Sequence, residues 1–167
     1  MFKVGDRVVY PLQGAGIIEK IEEHKIMDKI HKYYVIKLAA YDMRIMVPVE
    51  LEDKVGLRKI VGKEEFEKVY EILKGKNIEV SSDWKKRYTT SLEKMKEGSV
   101  FNVADVAKSL YERGRQKTLS IGEKRLFDNA CTLLATELAY IQGIKVEEAD
   151  FIVKDMIKEA RIEEKQE

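Results

Sequence analysis

The stretch VGKEEFEKVYEILKG, residues 61–75, is where the period of the chain changes. Phe66, Val69, Tyr70 and Leu73 stand at i, i+3, i+4 and i+7, which puts four apolar side chains on one face of an α-helix. Gly75 supplies a stop. Everything downstream keeps the helical period. NIEVSSD (77–83) reads as a connection, and Ser82 or Asp83 can cap a helix that begins at Trp84 and ends near Glu97, before Gly98. The next helix carries Val103, Val106, Ala107, Leu110 and Tyr111 and stops near Gly114. SIGE (120–123) has the capping-box spacing, and the helix it opens is the longest, reaching about Gln142. A last helix carries Val146, Ala149, Val153, Met156, Ile157 and Ala160.

Upstream of residue 61 the pattern is different. Short runs rich in β-branched and aromatic residues (RVVY, IIEKIEE, HKYYVIKLA, RIMVPVE) are separated by Gly, Pro and Asp. Val8, Val9, Tyr10, Ile17, Ile18, Ile21, Tyr34, Val35, Ile36, Val47 and Val49 supply a small β core. MDKIH (27–31) reads as a hairpin tip. Pro48 predicts an edge strand or a bulge, because proline donates nothing to a ladder. The expectation is an α+β chain: a small, highly bent β-barrel over residues 1–60, then an all-α domain of five or so helices over residues 61–167.

Composition narrows the function. The chain has 167 residues, 44% hydrophobic and 37% charged, as in a globular protein with a charged surface. No apolar run approaches the ~20 residues that cross a bilayer, and the first residues do not read as a signal peptide, so a cytoplasmic protein without a membrane partner is expected. Cys131 is the sole cysteine and reads as a small buried hydrophobe. His24 and His31 are the only histidines, and neither has a partner at ligand spacing, so no metal or other cofactor is expected. No phosphate loop, HExxH or nucleophile–base pair is present, which argues against an enzyme.

The net charge of +1 hides a segregation. Residues 74–96 hold seven Lys/Arg against three Asp/Glu, residues 108–125 six against two, and residues 147–167 four against eight. Basic segments suit a polyanion, although solvated helix faces have the same composition. Trp84, the only tryptophan, is followed by Lys85, Lys86 and Arg87. Trp84, Tyr88, Leu92 and Met95 lie close to one helical stripe, so an ordinary packing role is open. The alternative is a nucleic-acid contact. Cations draw phosphate, a flat side chain stacks on or wedges between bases, and a helix start offers free N–H groups.

Several motifs, in order, resemble the CarD/CdnL family of bacterial transcription regulators: FKVGDRVVYPLQGAGIIEKIE (2–22), VPVE (47–50), VG (61–62), DWKKRYTTSLEKMKEGSV (83–100) and LSIGEKRLF (119–127). The similarity spans about residues 2–158. It implies a Tudor-like N-terminal module that binds the β-subunit lobe of RNA polymerase, in holoenzyme with the housekeeping sigma factor, by strand addition. It implies a helical module that contacts promoter DNA at the upstream edge of the bubble and stabilises the open complex. Trp84 matches the family's minor-groove wedge. Lys86 and Arg87, beside Lys85, match its basic pair, and Lys124 matches a further phosphate contact. Contacts of this kind read little sequence.

The chain also departs from the family. His24 and Met46 stand where some members have polymerase-facing arginines, and Arg44, on the same side of its strand as Met46, is placed to compensate. These three, with Pro48 on the edge strand, are the expected polymerase contacts. Thr89 stands where some members carry a cation. A monomer is expected when the protein is free. The rival readings are a polymerase adaptor whose helical module binds another protein, and a nucleic-acid binder that works without polymerase.

Overall fold

The computed structural model describes residues 1–75 and 81–163. Residues 77–80 of the expected connection and the end of the acidic tail, 164–167, lie outside them, as does the side chain of Ala160. Strands β1 (Arg7–Tyr10), β2 (Gly14–Ile26), β3 (Lys29–Leu38), β4 (Arg44–Pro48) and β5 (Arg58–Lys59) form one sheet in the order β4-β3-β2-β1-β5. All four pairings are antiparallel. The β2–β3 turn is tighter than MDKIH suggests: Met27 and Asp28 alone make it, with φ of 45° and 63°. Two successive left-handed residues match the twist of the strands they join.

A register break between Ile18 and Lys20 bends the sheet. Val8, Ile18, Tyr34, Ile36, Val47 and Leu57 thereby close on one another as a first core. Gly16 is required in that bend, since a Cβ there would stand 2.6 Å from the Lys37 carbonyl oxygen. β4 is an end strand of the sheet, and Pro48 is its last residue, where a missing N–H costs no ladder bond.

Among the described residues five helices follow a 3-10 turn at Val49–Leu51 and β5: α1 (Lys63–Lys74), α2 (Trp84–Glu97), α3 (Val100–Gln116), α4 (Ile121–Gln142) and α5 (Val146–Glu163). The starts and stops follow local chemistry. Asp83 Oδ1 accepts the Lys85 N–H at 3.0 Å, which caps α2, and Gly98 closes it at φ 78°. At α4 the capping box forms: Ser120 Oγ accepts the Glu123 N–H at 3.2 Å, and a Glu123 carboxylate oxygen accepts the Ser120 N–H at 3.0 Å. α3 runs two residues past Gly114, which it tolerates at a cost of about 1 kcal/mol against alanine.

Phe66, Val69 and Leu73 of α1 are buried, as their spacing predicts, in a second core built around α4. α4 itself buries eleven of its residues, because α3, α5 and β2 cover different sides of it. Cys131 lies in that core with no exposure, and burial pushes its thiol up to about 12. Native protein at pH 8 should therefore leave Cys131 unmodified by a thiol reagent, and modification should track unfolding. Labelling as fast as that of a free thiol would contradict this placement.

Three contacts join the sheet to α4. The Ala15 N–H donates to Thr136 Oγ1 at 3.0 Å. Arg58 donates to both Glu137 oxygens, at 2.7 and 3.0 Å, and the Val61 N–H donates to one of them at 2.8 Å. Arg7 donates to the Tyr140 carbonyl at 3.1 Å, its guanidinium 5.3 Å from the Tyr140 ring centre. Gly14, at φ 96°, lets α4 come close, for a Cβ there would meet Thr136 at 3.0 Å. The structure leaves four residues of the expected β core, Val9, Ile17, Ile21 and Val35, outside the cluster around Ile18 and Tyr34. Val9 is buried, but in the small space between sheet and helices with Pro11, Leu12 and Leu133, on the opposite face of β1 from Val8. Ile21, on the stretch of β2 that extends beyond its pairing with β1, is 36% exposed.

Candidate functional site

The first residues of α2 and α4 lie together, and a buried ion pair joins them. Arg87 Nε and Nη2 donate to Glu123 Oε1 at 3.2 and 3.0 Å, and Nη1 donates to the Ser81 and Ser82 carbonyls at 3.0 and 2.9 Å. The two side chains are 5% and 2% exposed. Burial pushes the Glu123 carboxyl up, but the Ser120 N–H and the Arg87 guanidinium outweigh it and hold the group below the ordinary glutamate range. Tyr88, the next residue of α2, meets the start of α4, and a Cβ on Gly122 would stand 3.4 Å from the Tyr88 ring.

This geometry corrects the expected role of Arg87. Four hydrogen bonds tie up a guanidinium that carries five N–H groups, and Glu123 balances its charge. Arg87 holds the site together and does not present a cation to solvent. Trp84 is placed differently. It is 56% exposed, while Tyr88 and Leu92 are half-buried and Met95 has no exposure, so the stripe leaves the core at its first residue. Lys85 stands 5.8 Å from the centre of the Trp84 ring. Lys85, Lys86 and Lys124 are exposed, and among the described residues no acidic side chain pairs with them. The site therefore combines an exposed indole, three available ammonium groups and a rigid ion-paired base.

The polymerase-facing candidates lie on the other module. By the ladder register Met46 pairs with Val35 and Val35 with Lys20, so Lys20, His24 and Met46 share one face of the sheet. Arg44 is on that face too, two residues along β4. Its guanidinium donates to both oxygens of Glu19 at 2.6 and 3.2 Å, and the hydrogen bond from Arg44 holds the Glu19 carboxyl below its usual range. Arg44 is thus an exposed but paired cation. His24 hydrogen-bonds Glu22 at 3.0 Å and meets the Tyr33 ring edge-on at 5.3 Å. Met46 is 48% exposed, and among the described residues no further strand lines the outer edge of β4, which ends at Pro48.

Sequence reasoning missed three residues here. Glu123 was legible as a cap but not as the partner of Arg87, 36 positions away. Lys108, counted with the basic segment, is 2% exposed and pairs with Glu112 at 3.3 Å. Ile121, the first residue of α4, is 72% exposed, on the helix start that Glu123 ties to α2. Only its place directly after the cap, off the apolar stripe of α4, signalled it.

Among the described residues no helix is long and apolar enough to cross a membrane. Family models match both halves of the chain: "CarD-like/TRCF RID domain" at residues 2–61 and "CarD, C-terminal domain" at residues 68–154. The chain is 33% identical over 144 residues, 86% of its length, to the Bacillus subtilis (strain 168) protein named "Putative transcription factor YdeB", 94% of which is covered. The chain belongs to the CarD family of transcription factors, with an N-terminal module of the RNA-polymerase-interacting type.

Proposed function

We propose that the protein holds RNA polymerase by residues 1–60 and opened promoter DNA by residues 61–167, and so lengthens the life of the open complex. The observation that carries this reading is the exposed Trp84, with Lys85 against its ring, Lys86 exposed on the same first turn, and the Arg87–Glu123 pair tying that turn to the start of α4, which carries exposed Lys124. The open edge of β4, with Met46 and His24 on the adjoining face, suits strand addition by the β-subunit lobe. Tethering raises the local concentration of the Trp84 site at the DNA, so contacts too weak to act alone become sufficient. An indole that enters an unstacked step favours opened over closed DNA, and only such a difference shifts the equilibrium.

The test is the lifetime of open complexes formed by purified holoenzyme. Trp84→Ala should shorten the protein-stabilised lifetime about fivefold or more, given ~1–3 kcal/mol for a lost stacking contact, with polymerase affinity unchanged. Lys86→Glu and Lys124→Glu should each weaken the effect and flatten its dependence on salt, because each lost phosphate contact removes about one released counterion. Full activity in all three variants would favour the adaptor reading. Tight DNA binding that ignores polymerase would favour a free-standing nucleic-acid binder.

A further inference from the structure

Large exposed apolar side chains are ordinary when scattered, but Ile121 is not scattered. It is the first residue of α4, as Trp84 is of α2, and the Arg87–Glu123 pair ties the two helix starts together at 3.0 Å. Tyr88 fills the space between them against Gly122. The two side chains, 56% and 72% exposed, thus stand at the starts of two joined helices. Both sit on capped first turns, through Asp83 and through the Ser120–Glu123 box, so their backbones are held. A β-branched side chain has little rotamer freedom to lose on burial.

The charge around this surface selects its occupant. Lys85, Lys86 and Lys124 stand on the same first turns, and no described acidic side chain pairs with them. An apolar protein partner would have to cover these ammonium groups at a desolvation cost. Opened DNA offers phosphates to the cations and bare base faces to the apolar pair.

We propose that Ile121 and Trp84 together form the apolar face that takes the unstacked edge of opened DNA, with Ile121 packing on the base or sugar next to the step that Trp84 enters. This rests on the reading of Trp84 given above and adds a second contact residue to it. Trp84 supplies the flat surface, and Ile121 limits how far the opened step can slide back into the stack.

The test compares open-complex lifetimes with wild type, Ile121→Ser, Ile121→Leu and Trp84→Ala, all at concentrations that saturate polymerase. Ile121→Ser should shorten the lifetime about three- to tenfold, and Ile121→Leu, which keeps the apolar area, should stay within about twofold of wild type. Ile121 is exposed, so folding is unaffected, and a thermal melt of each variant checks this. Should Trp84→Ala lose the effect while Ile121→Ser retains it, the Ile121 contact is overturned and the Trp84 reading survives. Equal losses from Ser and Leu would overturn an apolar role for Ile121. If Trp84→Ala behaves as wild type, the whole site reading fails and the Ile121 contact goes with it.

Discussion

Glu123→Ala destabilises the protein by about 3–5 kcal/mol, the usual cost of removing one member of a buried ion pair. The guanidinium of Arg87, 5% exposed, would keep its two backbone acceptors and lose its counter-charge. The Ser120 N–H would lose its acceptor as well, at a further cost near 1 kcal/mol. Glu123→Gln should cost less, since an amide oxygen still serves the cap while the charge is gone. Urea denaturation measures both differences, and a loss below about 1 kcal/mol for the alanine variant would mean that the pair is not buried as described.

The sign of the pH dependence follows from the depressed Glu123 carboxyl. The unfolded chain takes up the proton first as pH falls, so this contribution is complete well above the ordinary glutamate range. It is lost as pH drops through the lower folded value. The wild type should therefore lose stability on acidification below about pH 4 more steeply than Glu123→Gln does. Because the same pair ties the start of α2, with Trp84, to the start of α4, with Ile121 and Lys124, Glu123→Ala should also shorten open-complex lifetimes at temperatures where the variant is still folded.

Glu137→Ala acts at the joint. The Glu137 side chain is 3% exposed and serves Arg58 twice and the Val61 N–H once, while Arg58 Nε also donates to the Gly98 carbonyl at 2.8 Å. Removing the carboxylate strands one backbone N–H and a guanidinium that is 26% exposed, at about 2–4 kcal/mol. The functional consequence is separable from the stability loss. Neither the β4 edge nor Trp84 is touched, so polymerase affinity should hold, yet the geometry linking the two surfaces loosens and the lifetime gain should fall. Comparison with a core variant of matched stability, Val153→Ala, isolates the effect of the joint. Equal lifetimes for the two would show that a fixed angle between the modules is not needed.

Much of the architecture was written locally. Phe66, Val69 and Leu73 announced a helix by spacing alone, Ser120 and Glu123 announced the start of the next-to-last one, and Pro48 announced an edge. Each of these signals acts over eight residues or fewer, or through a single missing donor. What was not legible depended on partners far away in sequence. Arg87 looks like any other cation in a basic run, and only the fold places Glu123, 36 positions away, against it; Lys108 has Glu112 at i+4, but only the packing of the helices takes that pair out of solvent. Val9 and Val8 alternate as strand residues should, yet the sheet is covered on both faces at β1, so both are buried. The site was legible in outline because Trp84 and its neighbouring lysines are contiguous. Its other half, Ile121 and Lys124, reaches it through tertiary contact, and the resemblance to the family supplied Lys124 alone.

What Trp84 touches when polymerase and promoter are both present decides whether it is a wedge. The most direct measurement replaces Trp84 with a photo-crosslinking phenylalanine analogue and irradiates the assembled open complex. The predicted product is a crosslink to promoter DNA at the upstream edge of the bubble, absent when polymerase is omitted and absent on closed duplex. A crosslink that runs to a protein subunit instead, with the DNA unlabelled, would contradict the wedge and make the helical module a protein adaptor.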